Sequence, residues 1–115
     1  MLNVSIFIEI FSYLCAIMET QNDYLNKLRL FKQLHSSEYG IERIGIFGSV
    51  ARGEQTTESD VDIYFETNKK ISLFRMGGLM YDLKALFGTP VDIVHNTDHL
   101  PVKFKQQIEK EIVYV

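Results

Sequence analysis

Asp60 and Asp62, one residue apart in the alternating run Asp60-Val61-Asp62-Ile63-Tyr64-Phe65, are the side chains here with the most chemistry to offer. Side chains two apart on a β-strand share a face, so both carboxylates converge on one point. That convergence is unfavourable without a cation between the charges, and hard oxygen donors in this pattern suit magnesium. Ser59-Asp60-Val61-Asp62 stands ten residues after Gly48-Ser49. Gly48 lets backbone approach a phosphate closely, the amides of the turn after it can donate to phosphate oxygens, and Ser49 adds a hydroxyl. Asp92 lies in a later apolar run, Val91-Asp92-Ile93-Val94. If that strand lies beside the first, a third carboxylate reaches the metals, where it can bind a cation and take a proton from an acceptor. Arg52 either pairs with the phosphates or forms a salt bridge with Glu54 or Glu58. The chemistry these groups fit is nucleotidyl transfer, which needs a bound triphosphate, cations to neutralise it and an acceptor hydroxyl opposite the departing pyrophosphate.

The elements that must position these groups are legible from periodicity. Tyr24, Leu25, Leu28, Leu30, Phe31 and Leu34 recur at helical spacing and predict an amphipathic helix over Gln21 to His35, punctuated by Gly40. Ile41 to Phe47 reads as a short strand ending at Gly48-Ser49, followed by a helical turn over Val50 to Gly53 and an exposed polar loop, Glu54 to Glu58. After the Asp-rich strand and a polar connection, a second helix runs from Ser72 to Phe87, with Leu73, Phe74, Met76, Leu79, Met80, Leu83, Leu86 and Phe87 on its apolar face. Gly77-Gly78 within it predicts close packing against the sheet or a bend, and Gly88 closes it. Pro90 to Val94 makes a third strand, Leu100 to Lys110 a third helix capped by Asp98, and Ile112 to Val115 a terminal strand. Alternating helices and strands predict an α/β or α+β fold, with helices packed mainly on one side of a small sheet.

At 115 residues and 46% hydrophobic, the sequence fits one compact domain. A net charge of −3 argues against a general nucleic-acid-binding surface, which needs clustered Lys and Arg. The lone Cys15 offers neither a disulfide nor a zinc site, and the expected location is the cytoplasm. Residues 1–17 are apolar but carry Glu9, lack a preceding basic residue and are short for a bilayer span, so no membrane role is expected. They read as an extension, either an amphipathic helix or translated sequence upstream of a start at Met18, with the domain proper spanning 18–115.

Phe47-Gly48-Ser49-Val50-Ala51-Arg52-Gly53-Glu54, then Ser59-Asp60-Val61-Asp62, resembles the minimal nucleotidyltransferases of the polymerase β-like superfamily, and Val91-Asp92-Ile93-Val94 fits the strand bearing that family's third acidic residue. The resemblance spans about Ile41 to Val115. It implies a polymerase β-like nucleotidyltransferase fold with a small mixed sheet. It also implies magnesium-dependent transfer of AMP from ATP, with Asp60, Asp62 and Asp92 as metal ligands and catalytic carboxylates, and Gly48, Ser49 and Arg52 at the nucleotide. Small members resemble antitoxins that adenylylate a tyrosine of a cognate HEPN ribonuclease, so a HEPN toxin is the implied partner. Two alternatives stay open: a binding-only antitoxin that occludes its toxin, and a small-molecule nucleotidyltransferase.

Blander readings stand beside these. Arg29 and His35 have the spacing of a HEPN nuclease motif, but such short patterns recur by accident. His95 and His99 are read as polar loop residues rather than metal ligands. Phe74, Met76 and Met80 are read as core, or as a partner-facing surface if exposed.

Overall fold

The computed structural model describes Ile6, residues 20–56 and residues 58–115. The rest of the 1–17 segment and Met18 lie outside the described residues, and so does their reading as an extension. Thr20 opens the first helix: its hydroxyl accepts from the Asp23 N–H, and the Asp23 carboxylate accepts from the Thr20 N–H at 2.8 Å. This reciprocal cap satisfies two donors that a helix start leaves unpaired. Helix α1 then runs Gln21–Tyr39 and stops at Gly40, whose φ of 68° is left-handed. It continues one turn past the predicted His35 because Gly40 supplies that cap and Tyr39 is buried, donating its hydroxyl to Asp82 at 2.9 Å.

Beyond it come β1 (Ile41–Phe47), a four-residue helix α2 (Gly48–Ala51), β2 (Val61–Thr67), α3 (Leu73–Phe87), β3 (Val91–His95), α4 (Val102–Glu111) and β4 (Val113–Tyr114). The strands form one mixed sheet in the order β3-β2-β1-β4. β1 is antiparallel to β2 and β4, while β2 and β3 are parallel, joined by the α3 crossover.

Alternation along β2 sorts its two faces. Val61, Ile63 and Phe65 are fully buried and join Ile44, Ile46 and Val91 in the main core, against Leu28 and Phe31 of α1 and Leu79 and Leu83 of α3. Asp62, Tyr64 and Glu66 therefore take the other face. That face is not bare: Tyr64 and Ile108 are fully buried outside the main core, and Tyr114 meets the Tyr64 ring edge-on at 6.4 Å. Arg43 lies over the Tyr114 ring at 4.1 Å and pairs with Glu66 at 2.8 Å. Thus α1 and α3 cover one face as expected, whereas α4 and the Tyr114 side chain of the edge strand β4 cover part of the other.

Several details depart from expectation. Leu73 and Phe74, expected on the buried face of α3, are 92% and 91% exposed because the first turn of that helix lies away from the core its later turns fill. Met80 is also exposed, whereas Met76 packs against the core. On α1, Leu30 and Leu34 are exposed too, since a narrower stripe through Leu28 and Phe31 suffices to meet the sheet. The helical glycines divide: Gly78 faces the Tyr39 hydroxyl on α1 rather than the sheet, and Gly77 faces open space. Asp98 does not cap α4, because Pro101 holds the cap position and a turn closed by Leu100 N–H to Thr97 O comes between. No helix among the described residues is long and apolar enough to cross a membrane.

Candidate active site

Register decides where the carboxylates meet. Asp62 and Asp92 are direct partners across the parallel β2–β3 pair, so both project to the face opposite the α1–α3 core. Asp60 precedes β2 by one residue rather than lying within it. It lines the same cleft, since two residues separate equivalent directions in extended chain. The junction is held by the Val61 N–H donating to Pro90 O at 3.0 Å and the Thr89 hydroxyl donating to Ser59 O at 3.3 Å. These bonds tie the start of β2 to the start of β3.

The Gly-Ser turn closes the third side. Phe47 ends β1 opposite Asp62, and the chain then enters α2 with Gly48 at φ 73°. A side chain at Gly48 is excluded twice over: the left-handed backbone disfavours it, and an added Cβ would collide with an Asp62 carboxylate oxygen. The turn is braced from α1, where the Gln21 side-chain amide donates to Val50 O at 3.2 Å and Ala51 O at 2.8 Å. The helical turn begins at Gly48, two residues before the predicted Val50, because Gly48 O already accepts from the Arg52 N–H.

Asp60, Asp62, Asp92, Gly48, Ser49 and Arg52 therefore all line one cleft of about 440 Å³, within the usual size of small-molecule sites. Asp62 is the most enclosed of the three carboxylates, and its pKa is pushed up from 3.8 to about 6. Burial is the main cause, followed by the negative charges of Asp92, Asp60 and Glu111, with Arg52 opposing. The cleft thus lacks positive charge where its acidic groups face one another.

Hard oxygen donors around an electrostatic deficit are the donor set that magnesium takes. Among the described residues, however, no three acidic, histidine or cysteine side chains form a ready-made metal cage. The expected gathering of three carboxylates is one of shared face and cleft, not of closed coordination. Magnesium fits this arrangement, because it commonly takes one or two carboxylates and fills the remaining positions with substrate phosphates and water.

Glu111, at the end of α4, was not foreseen. Its carboxylate accepts from the Gly48 N–H at 3.0 Å and from Arg52 at 2.8 Å, and those two donors hold its pKa below the ordinary glutamate value. Arg52 also donates to Glu54 at 3.0 Å, so the Glu54 salt bridge was legible from sequence and the Glu111 one was not. Phe104 and Gln107 of α4 line the same cleft. Their shared helical face with Ile108 and Glu111 was the only sequence signal, and nothing in it named the surface that α4 would cover.

The remaining candidates fall outside the cleft. His95 ends β3 rather than lying in a loop; it stacks on Phe65 at 4.6 Å and sits 2.9 Å from the Thr67 hydroxyl. Arg29 donates to Asn26 and His35 pairs with Glu38, each within α1, so they form no joint site.

A family model described as polymerase beta, nucleotidyltransferase matches residues 19–115. The Methanocaldococcus jannaschii protein MJ1217 is 35% identical over 99 residues, covering 85% of this chain and 100% of the relative. The protein adenylyltransferase MntA of Thermococcus cleftensis is 34% identical over 98 residues, covering 85% and 98%. In fold, the chain is similar to a solved structure of the tri-AMPylated Shewanella oneidensis HEPN toxin in complex with MNT antitoxin, with a TM-score of 0.58 and 20% identity over 83% of this chain and 71% of that one.

Proposed function

This chain belongs to the polymerase beta nucleotidyltransferase family, and from that premise we propose that it transfers AMP from ATP to a tyrosine hydroxyl of a HEPN-domain toxin, with magnesium as cofactor. The observation that carries the reading is the direct pairing of Asp62 with Asp92, beside Asp60 and against a Gly48 that tolerates no side chain. The name of the Thermococcus cleftensis relative supports AMP transfer to protein, and the HEPN–MNT complex of similar fold supports the partner.

The roles follow from position. Asp60 and Asp62 hold magnesium, with Asp92 completing the acidic wall. When bound, magnesium neutralises the polyphosphate and polarises the phosphorus under attack. The Gly48 N–H, the Ser49 hydroxyl and Arg52 grip the phosphates. Asp92, exposed at the cleft edge, faces the acceptor and takes its proton. The acceptor oxygen forms a bond to the α-phosphorus while the bond from that phosphorus to pyrophosphate breaks.

A double substitution, Asp60→Asn with Asp62→Asn, tests this reading. Wild type should add one or more AMP masses to the toxin and protect cells producing it. The double variant should leave toxin mass unchanged and protect poorly. Full protection by the variant without any mass gain would instead favour neutralisation by occlusion.

A further inference from the structure

The carboxylate of Glu111 engages the same two donors, the Gly48 N–H and the Arg52 guanidinium, that the proposed reading gives to the triphosphate. We propose that Glu111 stands in for a phosphate group in the nucleotide-free protein, and that displacing it sets the affinity for the nucleoside triphosphate. This inference rests on the nucleotidyltransferase reading above and assigns one further residue to it.

The chemistry of the exchange is like for like. A carboxylate and a phosphate each offer anionic oxygens to an N–H and a guanidinium, and each makes charge-assisted bonds with them. One oxygen of Glu111 takes the backbone donor and the other takes Arg52, so a single side chain occupies both contacts. Glu111 is half-buried and lines the same cleft as Asp62, Gly48 and Arg52. It is also the last residue of α4, with only Ile112 between it and β4, so its side chain can turn away without unwinding the helix body.

Two consequences follow. The Glu111 contacts keep the anion-binding donors satisfied, which avoids an unpaired amide beside a guanidinium that also holds Glu54. Nucleotide in turn binds only the fraction of molecules whose donors are free, and apparent affinity falls by that fraction. A donor pair engaged for about 70–90% of the time weakens binding about three- to tenfold.

The experiment is calorimetric titration of the full chain with magnesium–AMP-PNP, inorganic tripolyphosphate and adenosine. Glu111→Gln keeps the size of the side chain and removes its charge. It should tighten magnesium–AMP-PNP and tripolyphosphate by about three- to tenfold, and leave adenosine unmoved, because the competition concerns phosphate contacts. A purely structural Glu111 would give unchanged or weaker binding, which overturns the proposal. A second measurement needs no variant: in wild type, the Glu111 carboxyl carbon and the Gly48 amide should shift together in NMR spectra on addition of magnesium–AMP-PNP. A Glu111 resonance that stays fixed while nucleotide binds overturns the proposal even if Glu111→Gln fails to fold. Wild type that takes no nucleotide overturns this proposal and the nucleotidyltransferase reading together, whereas binding that is indifferent to Glu111 overturns this one alone.

Discussion

Asp62 concentrates the electrostatic tension of the site in one side chain. Its pKa in the folded protein, about 6, lies above its ordinary 3.8, so the fold binds a proton there more readily than the unfolded chain. The metal-free protein should therefore lose stability as pH rises from about 4 through 6, and stay at that lower level above it. Asp62→Asn should raise the metal-free melting temperature at pH 8 by on the order of 4 °C, allowing for solvent screening of a partly exposed group, and change it little at pH 4. Thermal denaturation with chelator at the two pH values checks this. Magnesium should protect wild type more at pH 8 than at pH 5, because ion and proton compete for the same oxygens. Gly48 poses a steric test instead. Gly48→Ala should cost about 1–3 kcal/mol in denaturant unfolding through its positive φ and the overlap with Asp62. It should also slow AMP transfer by about 100-fold or more, as the phosphate-binding turn is pushed off the carboxylates. The motif residues were the most legible part of the chain. Period-two alternation in extended chain fixes the relative direction of Asp60 and Asp62, although the strand itself starts only at Val61.

Among the elements, the short α2 turn has too few residues to hold itself and borrows its rigidity from α1. Gln21 donates to both of its last carbonyls, from 29 and 30 residues away in sequence, while Val50 O also accepts from the Gly53 N–H. Gln21→Ala should cost about 1–2 kcal/mol in chemical denaturation by leaving the Ala51 carbonyl short of a donor. Because the loosened turn carries Gly48 and Ser49, the KM for ATP should rise in steady-state assays. Helix and strand identities were legible from their periods, and the boundaries followed cap chemistry that periodicity does not encode. α1 gained a turn because Gly40 and the buried Tyr39 fix its end, and Asp98 lost its expected cap because an additional turn precedes Pro101.

For the molecule as a whole, stability resides in the main core between the sheet and the α1–α3 pair. Leu83→Ala should cost about 2–5 kcal/mol, since Leu83 is fully buried there. Leu73→Ser combined with Phe74→Ser should stay within about 0.5 kcal/mol of wild type in the same denaturation assay, although the helical pattern treats all three residues alike. Local pattern determined the pair Asp60–Asp62, the Gly-Ser turn, most elements and the α/β class, because each depends on residues near one another along the chain. Tertiary structure alone decided that Asp92 faces Asp62 in register, that Gln21 braces the turn, that α4 closes the second face, and that Glu111 reaches Gly48 and Arg52. Those contacts join segments up to 63 residues apart, and which of many compatible surfaces meet is fixed only when the whole chain packs.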